Sequence, residues 1–371
     1  MKYKVTILHR YLAPYRIDLY NKLAKVYDLD VILAGSKKEI NGLAYDLAKI
    51  NDLANFKYKY YFDGIRLGRH LISLVYYKHF RIHEPAIVFV DELGYNTLFS
   101  ILFKKKFNFK IVNICDDSPK MAKSYNWKRK ILRKFVIAYS DVMLVVNKEV
   151  RDYLSIKYAN KKCEFVYFPI LQDDERLALN IKQSNKIAKE YITRYDLEDS
   201  IILLFVGRFD PVKDIPILLE AFSRVYENNK KIRLILIGDG SLKNEFSEWV
   251  LDNNLDSSII FTGKLSGENL YAWYYLAQIF ILPSKHEPFG AVVNEALVAG
   301  CYVITSNAIG ANSLINKING NIFESGNVDD LSLKIKEALE LISIPKKMSS
   351  KMEKSFDYFF SQLTILLNNK V

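Results

Sequence analysis

The sequence predicts an α/β protein built from two doubly wound domains. Three observations carry that prediction. The chain has 371 residues, too many for one ordinary core. Short apolar runs alternate with amphipathic stretches through both halves, which is the pattern of parallel βαβ units. An acidic, proline-containing break at Phe168-Pro169-Ile170-Leu171-Gln172-Asp173-Asp174-Glu175 interrupts the alternation and reads as an interdomain linker. The domains are therefore set at 1–170 and 171–350. The segment 351–371 is a third piece, a last helix of about Met352–Leu367 beyond Pro345.

Six runs in the first half read as strands: Lys4–Leu8, Leu29–Leu33, Ala86–Val90, Lys110–Ile114, Val142–Val146 and Glu164–Phe168. Each is short and largely apolar, as strands buried on both faces are. Helical spacing lies between them, for example at Arg16–Val26 and Lys128–Tyr139. The second half repeats the scheme, with strands at Ile201–Val206, Ile232–Ile237, Ile259–Thr262, Ile279–Leu282, Tyr302–Thr305 and near Asn321–Phe323. Helices are expected at Ile215–Tyr226, about Leu242–Leu251, near Glu268–Ala277 and at Val328–Leu341. There is no solenoid-length repeat. In open α/β sheets ligands bind beyond the carboxyl ends of the strands. A cleft between two such domains is the expected site.

Composition narrows the class. Half the residues are apolar, enough for two cores. No apolar run reaches the roughly 18 residues of a membrane span, and Met1–Leu8 lacks the pattern of a signal peptide. Cys115, Cys163 and Cys301 are scattered and odd in number, which fits reduced thiols of a cytosol rather than a disulfide framework. The net charge is +11, with +15 on residues 1–170 and −4 on residues 171–371. The basic excess of the first half predicts an anionic partner there.

The most informative stretch is Ser284-Lys285-His286-Glu287-Pro288-Phe289-Gly290-Ala291-Val292-Val293-Asn294-Glu295. Two acids lie eight residues apart across a Pro-Phe-Gly turn that opens a helix. Glu287 precedes the helix and Glu295 is expected about two turns into it. The helix's first N–H groups, near Gly290 to Val292, are a ready phosphate site. Acids for hydroxyls beside amides for a diphosphate suggest a nucleotide sugar. A second stretch, Gly207-Arg208-Phe209-Asp210-Pro211-Val212-Lys213-Asp214, follows one strand and precedes a helix. Its Arg208 and Lys213 would hold a diphosphate and stabilise it as it leaves; the alternative is an ordinary loop of solvated charges. Gly238-Asp239-Gly240 is a turn that needs backbone freedom.

Together these segments carry a resemblance. The run from about Ile201 to Leu341 resembles the nucleotide-sugar domain of GT-B glycosyltransferases, specifically the retaining group called GT4. The matching blocks are Gly207-Arg208 with Lys213, Ile237-Gly238-Asp239-Gly240, Phe261-Thr262-Gly263, Leu282-Pro283-Ser284 with Glu287 and Glu295, and Asn319-Gly320-Asn321-Ile322-Phe323. The resemblance implies two Rossmann-like domains facing a central cleft, with the last helix crossing back to the first domain. It implies that Glu295 holds ribose hydroxyls and Glu287 contacts the donor sugar, and that Arg208 and Lys213 grip the diphosphate. Backbone near Pro288, Phe289, Gly290, Ala291 and Gly207 would line the donor, with Asp239 on the same side, and Gly263 to Leu265 would edge the base. Retention of configuration also follows from the family, with no metal or other cofactor required.

The first half resembles the family less specifically. Ala13-Pro14-Tyr15-Arg16 replaces the glycines many members have after the first strand, and Arg16 would compensate by charge. Where many members carry a histidine near the reacting sugar, this chain reads Cys115-Asp116-Asp117-Ser118-Pro119. Asp116 or Asp117 would take that place, with Asp116 turned toward the acceptor; the alternative is that the pair caps the following helix. His9, His70, His79 and His83 show no recognisable partners and read as structural, as does His286. Lys120 to Phe135 holds seven cations and no acid. With Trp127, Ile131, Leu132 and Phe135 it suits an anionic membrane surface; the bland reading is a solvated helix whose apolar stripe is core.

The resulting expectation is a retaining glycosyltransferase. It would move a hexose or N-acetylhexosamine from a nucleoside-diphosphate sugar, a UDP-sugar favoured, to a lipid-linked glycan or polysaccharide intermediate. It would lie in the cytoplasm, peripheral on the inner membrane through Lys120–Lys134, with no nucleic-acid partner. The rivals are a nucleotide-sugar epimerase of the same fold and a non-enzymatic basic binding module.

Overall fold

Two parallel sheets carry the fold. The computed structural model describes residues 2–34, 47–62, 64–67, 70–72, 75–342 and 349–371. They divide into unit 1, Met1–Gln172 with Phe356–Val371, and unit 2, Asp173–Ser355.

Unit 1 contains β1 (Lys4–His9), β2 (Asp28–Ala34), β3 (Lys57–Tyr61), a hairpin of β4 (Ile65–Leu67) and β5 (His70–Ile72), β6 (Ile87–Asp91), β7 (Lys110–Cys115), β8 (Val142–Val145) and β9 (Glu164–Tyr167). Apart from the antiparallel hairpin they form one sheet in the order β3-β2-β1-β6-β7-β8-β9. All its pairings are parallel. The six strands expected from the sequence in this half appear with ends within one residue. β3 was missed. It alternates Lys57-Tyr58-Lys59-Tyr60 rather than running apolar, because it is an edge strand paired only with β2.

Unit 2 contains β10 (Ile201–Val206), β11 (Ile232–Ile237), β12 (Ile259–Gly263), β13 (Ile279–Leu282), β14 (Tyr302–Ser306) and β15 (Gly320–Phe323). Their order is β12-β11-β10-β13-β14-β15, again all parallel. This is the winding of dinucleotide-binding domains, with the order reversing between the first and fourth strands. The helix Ile215–Tyr226 shows how the layers close. Ile215, Leu218, Leu219, Phe222 and Val225 are buried on one face at helical spacing. Each contributes about 1.5–3 kcal/mol of burial free energy.

Two expectations are corrected. The acidic stretch after Phe168 is not all linker: Asp173 caps the helix Asp174–Gln183, its side chain accepting from the Arg176 N–H at 3.1 Å. The acids there sit in a first helical turn, where they favour the helix dipole. The last helix is Phe356–Asn368, not Met352–Leu367. Lys351 before it belongs to unit 2, its N–H donating to Leu297 O at 2.8 Å. The helix itself packs within unit 1. Phe356 and Phe359 meet Phe168, Lys22 pairs with Asp357 at 2.7 Å, and Tyr27 donates to Asn368 at 3.0 Å. Pro345 lies outside the described residues.

Candidate functional site

In unit 2, the segments after β10, β11, β12 and β13 emerge at one edge of the sheet, at the strands' carboxyl ends. Gly207 and Arg208 follow β10, Gly238 and Asp239 follow β11, and Gly263 ends β12, with Leu265 two residues on. Backbone bonds tie these turns together: Gly207 N–H to Ile237 O at 2.9 Å, Phe209 N–H to Asp239 O at 2.9 Å, and Gly238 N–H to Gly263 O at 3.0 Å. Gly238 is required by this packing. A Cβ there would lie 1.8 Å from the Gly207 carbonyl oxygen, so its local role is close approach of two loops.

The reversal point of this sheet lies between β10 and β13. Lys213, after β10, forms an ion pair across it with Glu287, after β13. Both side chains are largely buried. Alongside, the Lys285 N–H donates to Val212 O at 2.9 Å, and the Lys285 ammonium reaches the buried Asp214 at 2.8 Å. Arg208 is different: its side chain is 74% exposed and pairs with Asp210 at 3.1 Å. One cation is therefore paired in a largely buried position and the other at the surface.

The turn after Glu287 is pinned from below. Gly310 N–H donates to Glu287 O at 3.1 Å and Ala311 N–H to Phe289 O at 2.7 Å. Phe289 is buried and Pro288 half-buried. Gly290 has φ +96, which a side-chain-bearing residue rarely adopts. Its left-handed turn brings the chain through Ala291 into the helix Val292–Val298. That helix has only two turns, so Glu295 sits one turn in rather than the expected two. Glu295 is half-buried, against the buried hydroxyl of Tyr274. Burial, then the Glu295 charge and its hydrogen bond, push that phenol well above its usual range. Tyr274 thus remains neutral beside Glu295. The sequence gives no sign of it, because Tyr274 lies within the helix Glu268–Leu276 and meets Glu295 only through folding.

In unit 1 the reversal point lies between β1 and β6, and it too is bridged by a pair: His9, ending β1, meets Asp91, ending β6, at 2.8 Å. Burial alone would raise Asp91, but His9, with Arg10 and Arg16, holds it below the ordinary carboxylate range. Pro14–Arg16 form a 3-10 turn that runs directly into the helix Ile17–Val26. The turn tucks Arg16 inside, where its guanidinium binds Asp116 beyond β7. Burial opposes the Arg16 charge, yet Asp116, Tyr20 and Tyr15 keep it firmly protonated. The structure thus brings Arg16 and Asp116 together.

The capping alternative for the two aspartates is corrected. Ser118 caps Pro119–Ser124, accepting from Met121 N–H at 3.2 Å. Asp117 turns inward instead. It binds Arg133, which also holds Glu92, and it accepts from the Tyr125 hydroxyl at 2.7 Å. Burial raises Glu92, and Arg133 opposes that. Burial and the two acids push the Cys115 thiol far up, leaving it unreactive. The histidines read as partnerless are also corrected: His9 has Asp91, and His79 has Thr6 at 2.9 Å. The His70 side chain lies outside the described residues.

The basic stretch folds as Pro119–Ser124 and Trp127–Tyr139. Of its apolar stripe, Leu132 packs against the core of unit 1, while the rest is exposed. Trp127, Ile131, Phe135 and Tyr139 recur every fourth residue and are all exposed, Trp127 at 66% and Ile131 at 60%. Lys128, Lys130 and Lys134 flank them, also exposed. Arg133, Val136 and Ile137 face inward.

The two-sheet α/β fold matches that of solved GT-B structures. Anabaena HepE in complex with UDP superposes with a TM-score of 0.75 over 99% of this chain and 100% of that one, at 14% identity. A glycosyltransferase from Rickettsia africae gives 0.74 over 100% and 98%, at 16% identity. A family model described as glycosyl transferases group 1 matches residues 189–355, within unit 2. An uncharacterized glycosyltransferase of Methanocaldococcus jannaschii is 30% identical over 206 residues, 54% of this chain and 56% of that protein. A second from the same organism matches over only 32% of its own length. The Campylobacter jejuni N-acetylgalactosamine-N,N'-diacetylbacillosaminyl-diphospho-undecaprenol 4-alpha-N-acetylgalactosaminyltransferase is 26% identical over 285 residues, 74% of this chain and 73% of that enzyme.

Proposed function

We propose that the protein transfers a hexose or N-acetylhexosamine from a nucleoside-diphosphate sugar, a UDP-sugar foremost, to a lipid-linked glycan, retaining the anomeric configuration. The observation that carries this is the Lys213–Glu287 pair bridging the reversal point of unit 2, with Glu295 set by Tyr274 one turn beyond. In this reading Lys213 and Arg208 neutralise the diphosphate, Glu287 meets the sugar and Glu295 the ribose. As the glycosidic C–O bond to the diphosphate breaks, the acceptor oxygen bonds to the same face of the sugar, and the departing phosphate takes its proton. The cations stabilise that leaving group, an electrostatic contribution. In unit 1, Asp116, braced by Arg16, is offered to the acceptor.

Two facts support a lipid-linked acceptor. The Campylobacter relative's name specifies an undecaprenol-linked substrate. The exposed aromatic and aliphatic stripe of Trp127–Tyr139, flanked by lysines, is what an anionic bilayer surface binds. No described helix is long and apolar enough to cross a membrane, so attachment would be peripheral.

The deciding experiment is thermal stabilisation by UDP, GDP, ADP and dTDP, for wild type and Glu295→Ala. A ligand at about 100 times its dissociation constant adds roughly 2.7 kcal/mol. One nucleotide stabilising the wild type but not the variant supports the reading and names the base. No shift with any nucleotide removes the donor site. Turnover of the free UDP-sugar without any acceptor would point to an epimerase instead.

A further inference from the structure

Away from both reversal points, unit 1 holds a second cluster of side chains with ligand chemistry. Asp30 lies in β2 and faces its register partner Thr6 in β1. The helix Val75–His83 lies in the same unit and carries His79 and His83, four residues apart and therefore on one face. His79 Nδ1 is 3.5 Å from Asp30 Oδ2, and His79 Nε2 is 2.9 Å from the Thr6 hydroxyl. The two imidazoles are stacked with centroids 4.9 Å apart. One ligand atom from each of Asp30, His79 and His83 lies within 4.8 Å of the others.

We propose that Asp30, His79 and His83 bind a divalent transition-metal ion of the zinc type. Two ligand atoms about 2.1 Å from a tetrahedral zinc are about 3.4 Å apart, and the Asp30–His79 separation already has that value. The remaining ring nitrogen of His79 is held as a metal-bound histidine's usually is, by hydrogen bonding to a neighbouring group, here the Thr6 hydroxyl. The third ligand supplies the observation a purely structural histidine would not. His83 Nε2 is buried with no hydrogen-bond partner, a costly arrangement that a metal or its bound water relieves. Asp30 is 39% exposed, which gives an ion a way in and leaves a coordination position for water. The cluster lies toward the amino ends of the strands: Asp30 is third in β2, and His83 ends the helix that leads into β6. Ligands of such sheets react at the opposite edge, so this ion would clamp the helix to the sheet rather than take part in transfer.

The test uses the untagged full chain, stripped with a chelator and titrated with Zn2+ and with Co2+ alone. One equivalent is expected to bind, with Co2+ giving visible d–d absorption and Zn2+ raising the melting temperature. Asp30→Asn and His83→Gln should each weaken binding by at least about tenfold, and Thr6→Val, which removes only the outer hydrogen bond, by roughly 10–100-fold. Asp30→Asn changes a partly exposed side chain, so it serves even if a histidine variant folds poorly. No stoichiometric binding to the wild type would overturn the proposal. So would wild-type affinity in both Asp30→Asn and His83→Gln.

Discussion

The two units wind their sheets alike yet arm the same topological position differently. In both, the order reverses between the first strand and the fourth, and a side-chain pair bridges the gap: His9–Asp91 in unit 1, Lys213–Glu287 in unit 2. In unit 2 the bridging cation is a lysine with an exposed arginine beside it. In unit 1 the strong cations are enclosed: Arg16 is committed to Asp116, and Arg133 to Glu92 and Asp117. The winding fixes where a ligand can go, and the local residues decide which charge it meets. Beside the reversal point of unit 2, Arg208 is the exposed cation, 74% open to solvent. In unit 1, Arg16 is buried and its partner Asp116 is the exposed group, at 43%.

The sharpest way to test that contrast is to remove the enclosed cation. Arg133→Met leaves Glu92 and Asp117 buried without a counter-charge, and losing one partner of a buried pair costs about 3–5 kcal/mol. Denaturant unfolding should show this loss. Arg133→Lys should recover only part of it, because an ammonium cannot serve both carboxylates with a planar fork. Full stability in Arg133→Met would mean the network is incidental.

Next in size is the unit 2 bridge. Lys213→Ala should lower turnover of the nucleotide sugar by about 10²–10³-fold, the usual effect of deleting one group that stabilises developing charge. Arg208→Ala should cost less, since that side chain is 74% exposed and pairs only at the surface, with Asp210. Near-normal rates in both variants would sink the electrostatic mechanism.

The contrast also explains what was legible in the sequence. The interior strands of both sheets were read within a residue because burial on both faces leaves short apolar runs that few other structures produce. Glu287 and Glu295 were legible because the Pro-Phe-Gly turn constrains the backbone between them. Tyr274 and Asp214 were not: each acts through a partner brought close by folding, and neither has a local pattern of its own. Unit 1 was harder still. His9 and Asp91 are 82 residues apart and meet only because β1 and β6 are neighbours. The exposure of the Trp127–Tyr139 stripe was undecidable from spacing alone, since core and membrane-facing stripes share one period.

A subtler test concerns the support of Glu295. Tyr274→Phe removes one hydrogen bond to a carboxylate and little volume. UDP affinity should fall roughly tenfold, within the range for hydrogen bonds to charged groups, while Lys213-dependent turnover at saturating donor changes little. An unchanged dissociation constant by calorimetry would show that Glu295 is set by its helix alone.

The smallest effect belongs to the unit 1 bridge and appears only in acid. Asp91 has a folded-state pKa below its ordinary value. Its contribution is therefore fully present above the unfolded value near 3.9 and is lost as pH falls through the lower folded one. Melting temperatures taken from pH 6 down to pH 3 should drop more steeply for wild type than for Asp91→Asn, and the two should run parallel above pH 5. Equal slopes for wild type and Asp91→Asn would show that His9 and Asp91 are neighbours without energetic coupling, and the likeness between the two reversal points would then be geometric only.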